Sequence, residues 1–153
     1  MRTGASGRWH ATLRPGPSRL IKAVYAGSST DERATSPRAK LIVPAKVQVV
    51  RLWPRRVKWG GTVHIDGRLA GGYLPPPPGG ELVRLRLGYG RSYTTYGVKT
   101  DVTGNGRFKV SFTFGSGPAS VVRHYWFDEC ALPADDYPYA PACSRKITVR
   151  VGG

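Results

Sequence analysis

Acidic residues, sulfur and long apolar runs are all scarce in this sequence. Nine Asp and Glu residues stand against 24 Lys and Arg residues, and the 153 positions include two cysteines and one methionine. No run approaches the 18 or so consecutive apolar residues that indicate a transmembrane helix, so we expect no membrane span. No window combines a helical apolar period with capping residues, and this absence indicates a nearly all-β chain.

Histidine is also scarce, and the three that occur are scattered. His10, His64 and His124 belong to separate strand-like segments, and no nucleophile motif accompanies them. Nucleophilic catalysis requires a nucleophile, a base and an orienting group in contact with one another. We therefore predict no catalytic residues, no cofactor and no enzymatic activity, with His10 and His124 on outward faces of their strands.

The few carboxylates include two adjacent pairs, Asp128-Glu129 and Asp135-Asp136. Together with loop carbonyls they offer the oxygen ligands that Ca²⁺ prefers, but their spacing lacks the regular alternation of a calcium-binding loop. A polar loop that keeps a sheet edge soluble is the other interpretation. We predict no metal site.

Positive charge is spread along the whole chain. Residues 1–44 carry eight basic and two acidic groups (+6) and residues 45–153 carry sixteen and seven (+9), which together give the formal net charge of +15. A charge of this size raises a polyanion such as nucleic acid or a cell-wall polymer as a partner. Its even distribution favours a solvated basic surface, and both interpretations stay open.

The two cysteines, Cys130 and Cys143, each follow a strand-like run. Their C-x12-C spacing fits no zinc site, whereas a disulfide would close the mouth of a hairpin loop and stabilise the fold by about 3 kcal/mol. The sequence therefore favours a disulfide over two unrelated thiols. Such a bond needs an oxidising compartment, which favours an extracellular or cell-surface location. The first 16 residues lack an apolar signal core, so we expect any export signal to lie upstream.

Twenty glycines and thirteen prolines separate short alternating apolar runs, as turns separate strands. The clearest runs are 81–89, with Val83, Leu85 and Leu87 on one face, and 107–114, with a row of phenylalanines. In 46–53 strict alternation would place Val47, Val49 and Arg51 together. The segment GGYLPPPPGG at 71–80 is predicted to be a connection, because proline cannot donate to a sheet ladder; a proline-recognition motif is the alternative. About seven such strands predict an antiparallel two-sheet sandwich.

An internal similarity recurs at an offset of about 100 residues, and chance similarity of short strands is the other interpretation. Three segments of the first part correspond in order to three of the second: TGASGRWHATL (3–13) to TGNGRFKVSF (103–112), RLIKAVY (19–25) to VVRHYWF (121–127), and AKLIV (39–43) to KITVRV (146–151). We predict that residues 1–44 are the C-terminal portion of a truncated domain and residues 45–153 a complete one. On this interpretation Met1 is not the native start.

The motifs PAKVQVVRLWPRRVKWGGTVHIDGRL, VTGNGRFKVSF and ACSRKITVRVGG of residues 45–153 resemble bacterial immunoglobulin-like domains of actinobacterial surface and secreted proteins. In residues 1–44, GRWHATL, IKAVYAGSST and ATSPRAKLIV resemble the closing strands of the same family. The resemblance implies an immunoglobulin-like sandwich preceded by the last strands of a second such domain, and it transfers no functional residue. It implies a non-catalytic spacer or adhesion module whose partners are neighbouring domains of the same polypeptide.

Tyr89, Arg91, Tyr93 and Tyr96 form a strip of aromatic and basic residues bounded by glycines. Flat rings beside polar donors can stack on sugars or bases, whereas cross-strand aromatic pairs also stabilise sheets. A polyanion- or glycan-binding module that uses this strip is therefore the first alternative function, and an accessory domain of a secreted hydrolase is the second. The tyrosines of the DYPYAP segment are predicted to pack their loop onto the sandwich.

Overall fold

The computed structural model describes residues 8–69, 80–99, 105–132 and 137–153. Every regular element in these ranges is a β-strand, and none of the ranges contains a helix long and apolar enough to cross a membrane. The strands are β1 (Arg19–Ile21), β2 (Val24–Tyr25), β3 (Ala34–Thr35), β4 (Ala39–Leu41), β5 (Val47–Trp53), β6 (Arg56–Val57), β7 (Thr62–Leu69), β8 (Leu82–Tyr89), β9 (Ser92–Lys99), β10 (Arg107–Thr113), β11 (Arg123–Ala131), β12 (Ala142–Cys143) and β13 (Ile147–Val151).

Two sheets make up the body of the fold. One has the order β10-β7-β5 and the other the order β6-β13-β11-β8-β9, with the short β12 also paired to β11. All these pairings are antiparallel except β6 with β13. The all-β antiparallel sandwich predicted from the sequence is thereby confirmed. In immunoglobulin-like sandwiches strands A, B and E share one sheet and strands G, F and C the other. Here β5, β7 and β10 take the places of A, B and E, and β13, β11 and β8 take those of G, F and C.

The segment between β5 and β7 crosses from one sheet to the other. β5 pairs with β7, the Trp53–Pro54 peptide bond that follows is cis, and β6 then lies parallel to β13 in the opposite sheet. Gly60, at a φ of 79°, turns the chain back into β7. This crossing joins the edges of both sheets through one continuous segment.

The core lies between the inner faces of the two sheets, in two clusters of buried side chains. The first cluster includes Ile65, Leu85 and Phe127, and the second includes Val83, Phe108 and Tyr137. The predicted row of inward residues on β10 is confirmed, because Phe108 and Phe114 are buried and Val110 and Phe112 pack against the first cluster. Tyr137 and Tyr139 are buried in the second cluster, as predicted for their loop.

Strict alternation fails in β5, where the ladder to β7 shifts register between Val49 and Arg51. A β-bulge inserts one extra residue and moves the following side chains to the other face. Leu52 is therefore buried in the first core cluster, whereas Arg51, predicted on the face of Val47 and Val49, is exposed. The prediction for Arg51 is wrong for this reason.

Residues 8–44 form two small antiparallel pairs outside the sandwich, β1 with β4 and β2 with β3. The strand predicted from GRWHATL is wrong, since residues 8–13 form no strand, and the run 19–25 is divided between β1 and β2. These short strands bury no residue fully, in contrast to the sandwich. The division into a truncated and a complete domain stays a prediction.

The proline-rich residues 71–79 and the pair Asp135-Asp136 lie outside the described residues.

Candidate functional site

The predicted disulfide joins Cys130 and Cys143, and neither cysteine is free. The two residues are direct cross-strand partners of β11 and β12, so the bond closes the loop that carries Tyr137 and Tyr139. Ser144 adds two hydrogen bonds next to the disulfide. Its amide donates to the Glu129 carbonyl oxygen, and its hydroxyl accepts from the Glu129 amide. The two buried tyrosines therefore reach the core from a loop whose two ends are covalently joined.

The β8–β9 hairpin carries the predicted aromatic strip and divides it. Tyr93 lies opposite Gly88 on the outer face of the sheet, whereas Tyr96 lies opposite Leu85 on the inner face and its ring is 5.6 Å from that of Phe112. Arg91 is exposed in the turn. The four residues thus do not share one face, since successive side chains of a strand alternate between faces. Their role as a ligand strip stays a prediction.

Tyr89 and Tyr93 lie near each other at the end of the hairpin, but their rings are on opposite faces of the sheet, that of Tyr89 beside Tyr125 and that of Tyr93 beside Trp126. Tyr89 and Tyr93 line a depression of about 180 Å³, together with Ser92, Thr94 and Tyr125. The Tyr89 and Tyr125 ring centroids are 5.4 Å apart. Tyr89 is 52% exposed and Tyr93 is 57% exposed. The Tyr89 ring and the hydroxyl-bearing Ser92 and Thr94 share the face of Tyr125, whereas the Tyr93 ring lies on the face of Trp126.

Trp126 holds this end of the hairpin in place. Its ring lies against Gly88, where a Cβ would come within 2.1 Å of the ring atoms, and its Nε1 donates to the Gly90 carbonyl oxygen at 3.2 Å. Gly90 has a φ of 58° and opens a two-residue turn between the paired residues Tyr89 and Ser92. Glycine at this first turn position is what a type II′ hairpin requires.

Cations surround these rings. The Arg86 guanidinium donates through Nε to Asp128 Oδ1 at 2.7 Å and through Nη2 to Asp128 Oδ2, and it lies 5.3 Å from the Tyr93 ring centroid. The hydrogen bond to Asp128 raises the pKa of Arg86. Lys146 Nζ is 3.9 Å from the Trp126 ring centroid, and the Arg123 guanidinium carbon is 5.3 Å from that of Tyr89. The outer face of this end therefore carries Tyr93, Trp126, Arg86 and Lys146, and the inner face carries Tyr89, Tyr125 and Arg123.

Glu129 is fully buried on the inner face of β11, between Phe127 of the first core cluster and Ala131 of the second. Neither carboxylate oxygen has a hydrogen-bond partner. Desolvation, and secondarily the nearby charge of Asp128, raises the pKa of Glu129 to about 8. Glu129 was not among the predicted core residues, although it shares the parity of Tyr125 and Phe127 in the alternating run, which indicates an inward position.

The acidic patch considered for Ca²⁺ does not assemble in the described residues. Asp128 and Glu129 point to opposite faces of β11, one paired with Arg86 and the other enclosed in the core. Within the described ranges no group of three or more His, Cys, Asp or Glu residues is placed to hold a metal ion.

The histidines occupy separate exposed positions. His10 precedes the first strand, His124 lies on β11 and His64 on β7, so the structure does not bring them into one site. The exposure predicted for His10 and His124 is confirmed. His64 Nδ1 is 2.8 Å from Ser111 Oγ on the neighbouring strand, a contact on the exposed side of the smaller sheet.

Replacing Gly88 with alanine is expected to destabilise the protein by about 1–3 kcal/mol, because the new Cβ would overlap the Trp126 ring. Urea unfolding measures the loss, and the Trp126 indole signal in an NMR spectrum should shift as Nε1 leaves Gly90. Gly97→Ala is the matched control on β9, since a Cβ there meets only Leu82 Cδ1 at 3.4 Å. Equal effects of the two substitutions would contradict this assignment.

A search of known protein families finds no family model that matches the chain, and a search of curated proteins finds no matching protein.

Proposed function

We propose that the chain is a non-catalytic spacer or adhesion module of an exported multidomain protein, built from bacterial immunoglobulin-like units. The observation that carries this proposal is the hydrogen-bonded junction between residues 8–44 and the sandwich. A spacer must transmit a fixed geometry from one unit to the next, and a junction of backbone hydrogen bonds does so where a glycine-rich linker would not.

The junction forms around the disulfide-closed loop. Ala140 donates its amide to the Val43 carbonyl oxygen and accepts at its own carbonyl from the Ala45 amide, both at 2.8 Å. Ser18 donates its amide to the Pro138 carbonyl oxygen at 2.8 Å. Its hydroxyl also accepts from the Val43 amide at 2.9 Å and lies 3.2 Å from the Val43 carbonyl oxygen. The N-terminal segment is thus held to the sandwich at two points distant in sequence.

The Cys130–Cys143 bond supports an exported location, because disulfides persist in oxidising compartments and are rare in the cytosol. The same bond fixes the loop that receives the N-terminal segment. An extracellular or cell-surface chain whose inter-unit contact depends on a disulfide-closed loop is suited to hold neighbouring domains of the same polypeptide apart.

The rigidity of this junction can be measured directly. In the full chain, ¹⁵N relaxation should give the same rotational correlation time for residues 19–41 and for residues 47–69. Ser18→Ala removes the hydroxyl that joins Ser18 to Val43, the two residues whose backbones bond to the sandwich, and the loosened attachment should shorten the correlation time of residues 19–41 alone. Ser29→Ala, an exposed hydroxyl in the same segment, is the matched control and should leave both values unchanged.

Independent tumbling of residues 19–41 in the unmodified chain would contradict the spacer proposal. Equal effects of the two serine substitutions would show that the Ser18 hydroxyl does not hold the junction.

A further inference from the structure

Residues 19–43 of the N-terminal segment form one hairpin with an interrupted ladder. β1 pairs with β4, β2 pairs with β3, and the gap between the two ladders holds residues 22–23 on the first strand and residues 36–38 on the second. Ser36 bridges this gap. Its amide donates to the Ala23 carbonyl oxygen at 3.0 Å, and its hydroxyl accepts from the Ala23 amide at 2.9 Å. The second strand therefore carries one extra residue, as in a β-bulge.

The hairpin that closes the sandwich, formed by β11 with β12 and β13, has the same interruption. Its gap holds residues 128–129 on β11 and residues 144–146 on the returning strand. Ser144 bridges the gap, because its amide donates to the Glu129 carbonyl oxygen at 2.7 Å and its hydroxyl accepts from the Glu129 amide at 3.0 Å. The two hairpins therefore share one pattern of pairing, bulge and serine bridge.

This shared pattern fixes which residues of the two hairpins correspond. Residues 19–25 take the places of 125–131, and residues 34–43 take the places of 142–151. The first correspondence differs by four positions from the one that sequence similarity predicts, which aligns 19–25 with 121–127. Short alternating runs can be aligned in several ways, whereas a paired strand has one register.

Six positions of the first hairpin correspond to buried positions of the sandwich, and all six are apolar. They are Ile21, Ala23, Tyr25, Ala39, Leu41 and Val43. None of the six is buried, and Tyr25 is 46% exposed. A two-stranded hairpin is marginally stable by itself, and a third strand or a further packing surface is needed to stabilise it.

The first strand of this hairpin has an edge without a partner among the described residues. In the sandwich the corresponding edge of β11 pairs with β8. Ala23 directs its N–H and C=O groups to Ser36, and neighbouring residues of a paired strand direct theirs the opposite way. The backbone groups of Lys22 therefore point to the free edge, at the position from which Asp128 pairs with β8.

Charge selects the kind of strand that fits this edge. In the sandwich Asp128 of β11 lies opposite Arg86 of β8, and the two side chains form an ion pair. Lys22 takes the place of Asp128, so the charge at this position is reversed. Like charges directly opposite each other destabilise a sheet, and opposite charges stabilise it. A strand that complements the edge therefore carries an acidic residue where β8 carries Arg86.

We infer that residues 19–43 are the closing hairpin of a second sandwich, and that the free edge at residues 20–25 binds an extended strand with an acidic residue opposite Lys22. This strand belongs to a neighbouring unit of the same polypeptide. A second copy of the chain does not supply it from β8, because that strand is already paired on both edges, with β11 and with β9. The inference rests on the proposed function, since it names the surface through which the module receives its neighbour.

Peptides with the sequence of residues 80–90, which contain β8, test this edge on the full chain by ¹H–¹⁵N NMR titration. The first peptide carries Arg86→Glu, and the second is unchanged. The third carries Arg86→Glu with N-methyl groups at positions 84 and 86, which remove the ladder donors. The first should shift the Lys22 amide, slow its hydrogen exchange, and bind about fivefold more tightly than the second. The third should not bind.

A charge reversal on the chain separates pairing at this edge from general attraction to a basic protein. Lys22→Glu should reverse the preference, so that the unchanged peptide binds about fivefold more tightly than the Arg86→Glu peptide. Lys40→Glu alters another exposed lysine of the same hairpin, on β4, and changes the net charge equally. As the matched control it should keep the original preference.

No shift at Lys22 with the Arg86→Glu peptide, binding of the methylated peptide, or one and the same preference in the two lysine variants would each overturn the inference. So would a concentration-dependent dimer whose formation shifts residues 20–25, because a second copy would then cover the edge. A rigid junction without peptide binding leaves the spacer proposal standing. Peptide binding with independent tumbling of the N-terminal segment contradicts the spacer proposal alone.

Discussion

Glu129→Gln is expected to make the protein more stable than the parent chain at pH 8–9, by roughly 5 kcal/mol, and to leave stability at pH 4 nearly unchanged. The carboxyl is fully buried without a hydrogen-bond partner, and burial raises its pKa from 4.5 to about 8. An amide of the same shape carries no charge at any pH in this window. It therefore avoids the cost of placing an anion in the core.

The direction of this pH dependence of stability follows from the raised pKa of Glu129 in the folded chain. Below pH 4.5 the carboxyl is protonated in both the folded and the unfolded chain, so it contributes no pH dependence. Between pH 4.5 and about 8 the unfolded carboxyl ionises while Glu129 in the fold keeps its proton, so the free energy of unfolding falls by about 1.4 kcal/mol for each pH unit. Above pH 8 the loss levels off, because both states are ionised.

Urea unfolding at pH 4, 6, 8 and 9 measures this dependence. Glu32→Gln is the matched control, since Glu32 is exposed in the N-terminal segment and should leave the pH profile of the parent chain in place. Parallel pH profiles for the parent chain and Glu129→Gln would show that Glu129 is not the group whose ionisation opposes folding.

Loss of the disulfide is expected to lower the free energy of unfolding by about 3 kcal/mol, as the chain-entropy model gives for a loop of this length. The loss of protection from hydrogen exchange should be concentrated near the closed loop. The closed loop carries Tyr137 and Tyr139 into the second core cluster and receives the Val43–Ala45 segment, so hydrogen exchange at Ala45 and Ala140 should accelerate. Amides of β7 and β13 beside the first cluster should stay protected.

The paired substitution Cys130→Ala with Cys143→Ala makes this measurement without leaving a lone thiol, and reduction of the parent chain is an independent route to the same state. Folded protein purified under oxidising conditions should show no free thiol on labelling. An unchanged urea midpoint after reduction, or two thiols labelled in the folded chain, would count against the bond and against the argument for export.

The candidate site was only partly predictable. The sequence predicts Tyr89, Arg91, Tyr93 and Tyr96 as one ligand strip, but the β8–β9 register places Tyr93 on the outer face and Tyr89 and Tyr96 on the inner face. No local pattern connects Tyr93 to Trp126, 33 positions further along the chain, because only the pairing of β11 with β8 brings Trp126 over Gly88 and beside Tyr93. Contacts between distant strands depend on register, and a slip of one residue would move every side chain to the other face.

Local sequence patterns were enough to predict the main strands of the sandwich, its antiparallel class and the cysteine pair, because alternation, turn residues and loop length are local properties of the chain, whereas the strand predicted within residues 7–13 was wrong. The bulge that buries Leu52 in place of Arg51, the position of Trp126 over Gly88 and the junction at Ser18 follow from tertiary structure alone. Each of these depends on which strand lies opposite, and at what register. The energy that selects a register is shared among side chains far apart in sequence, so no local pattern records it.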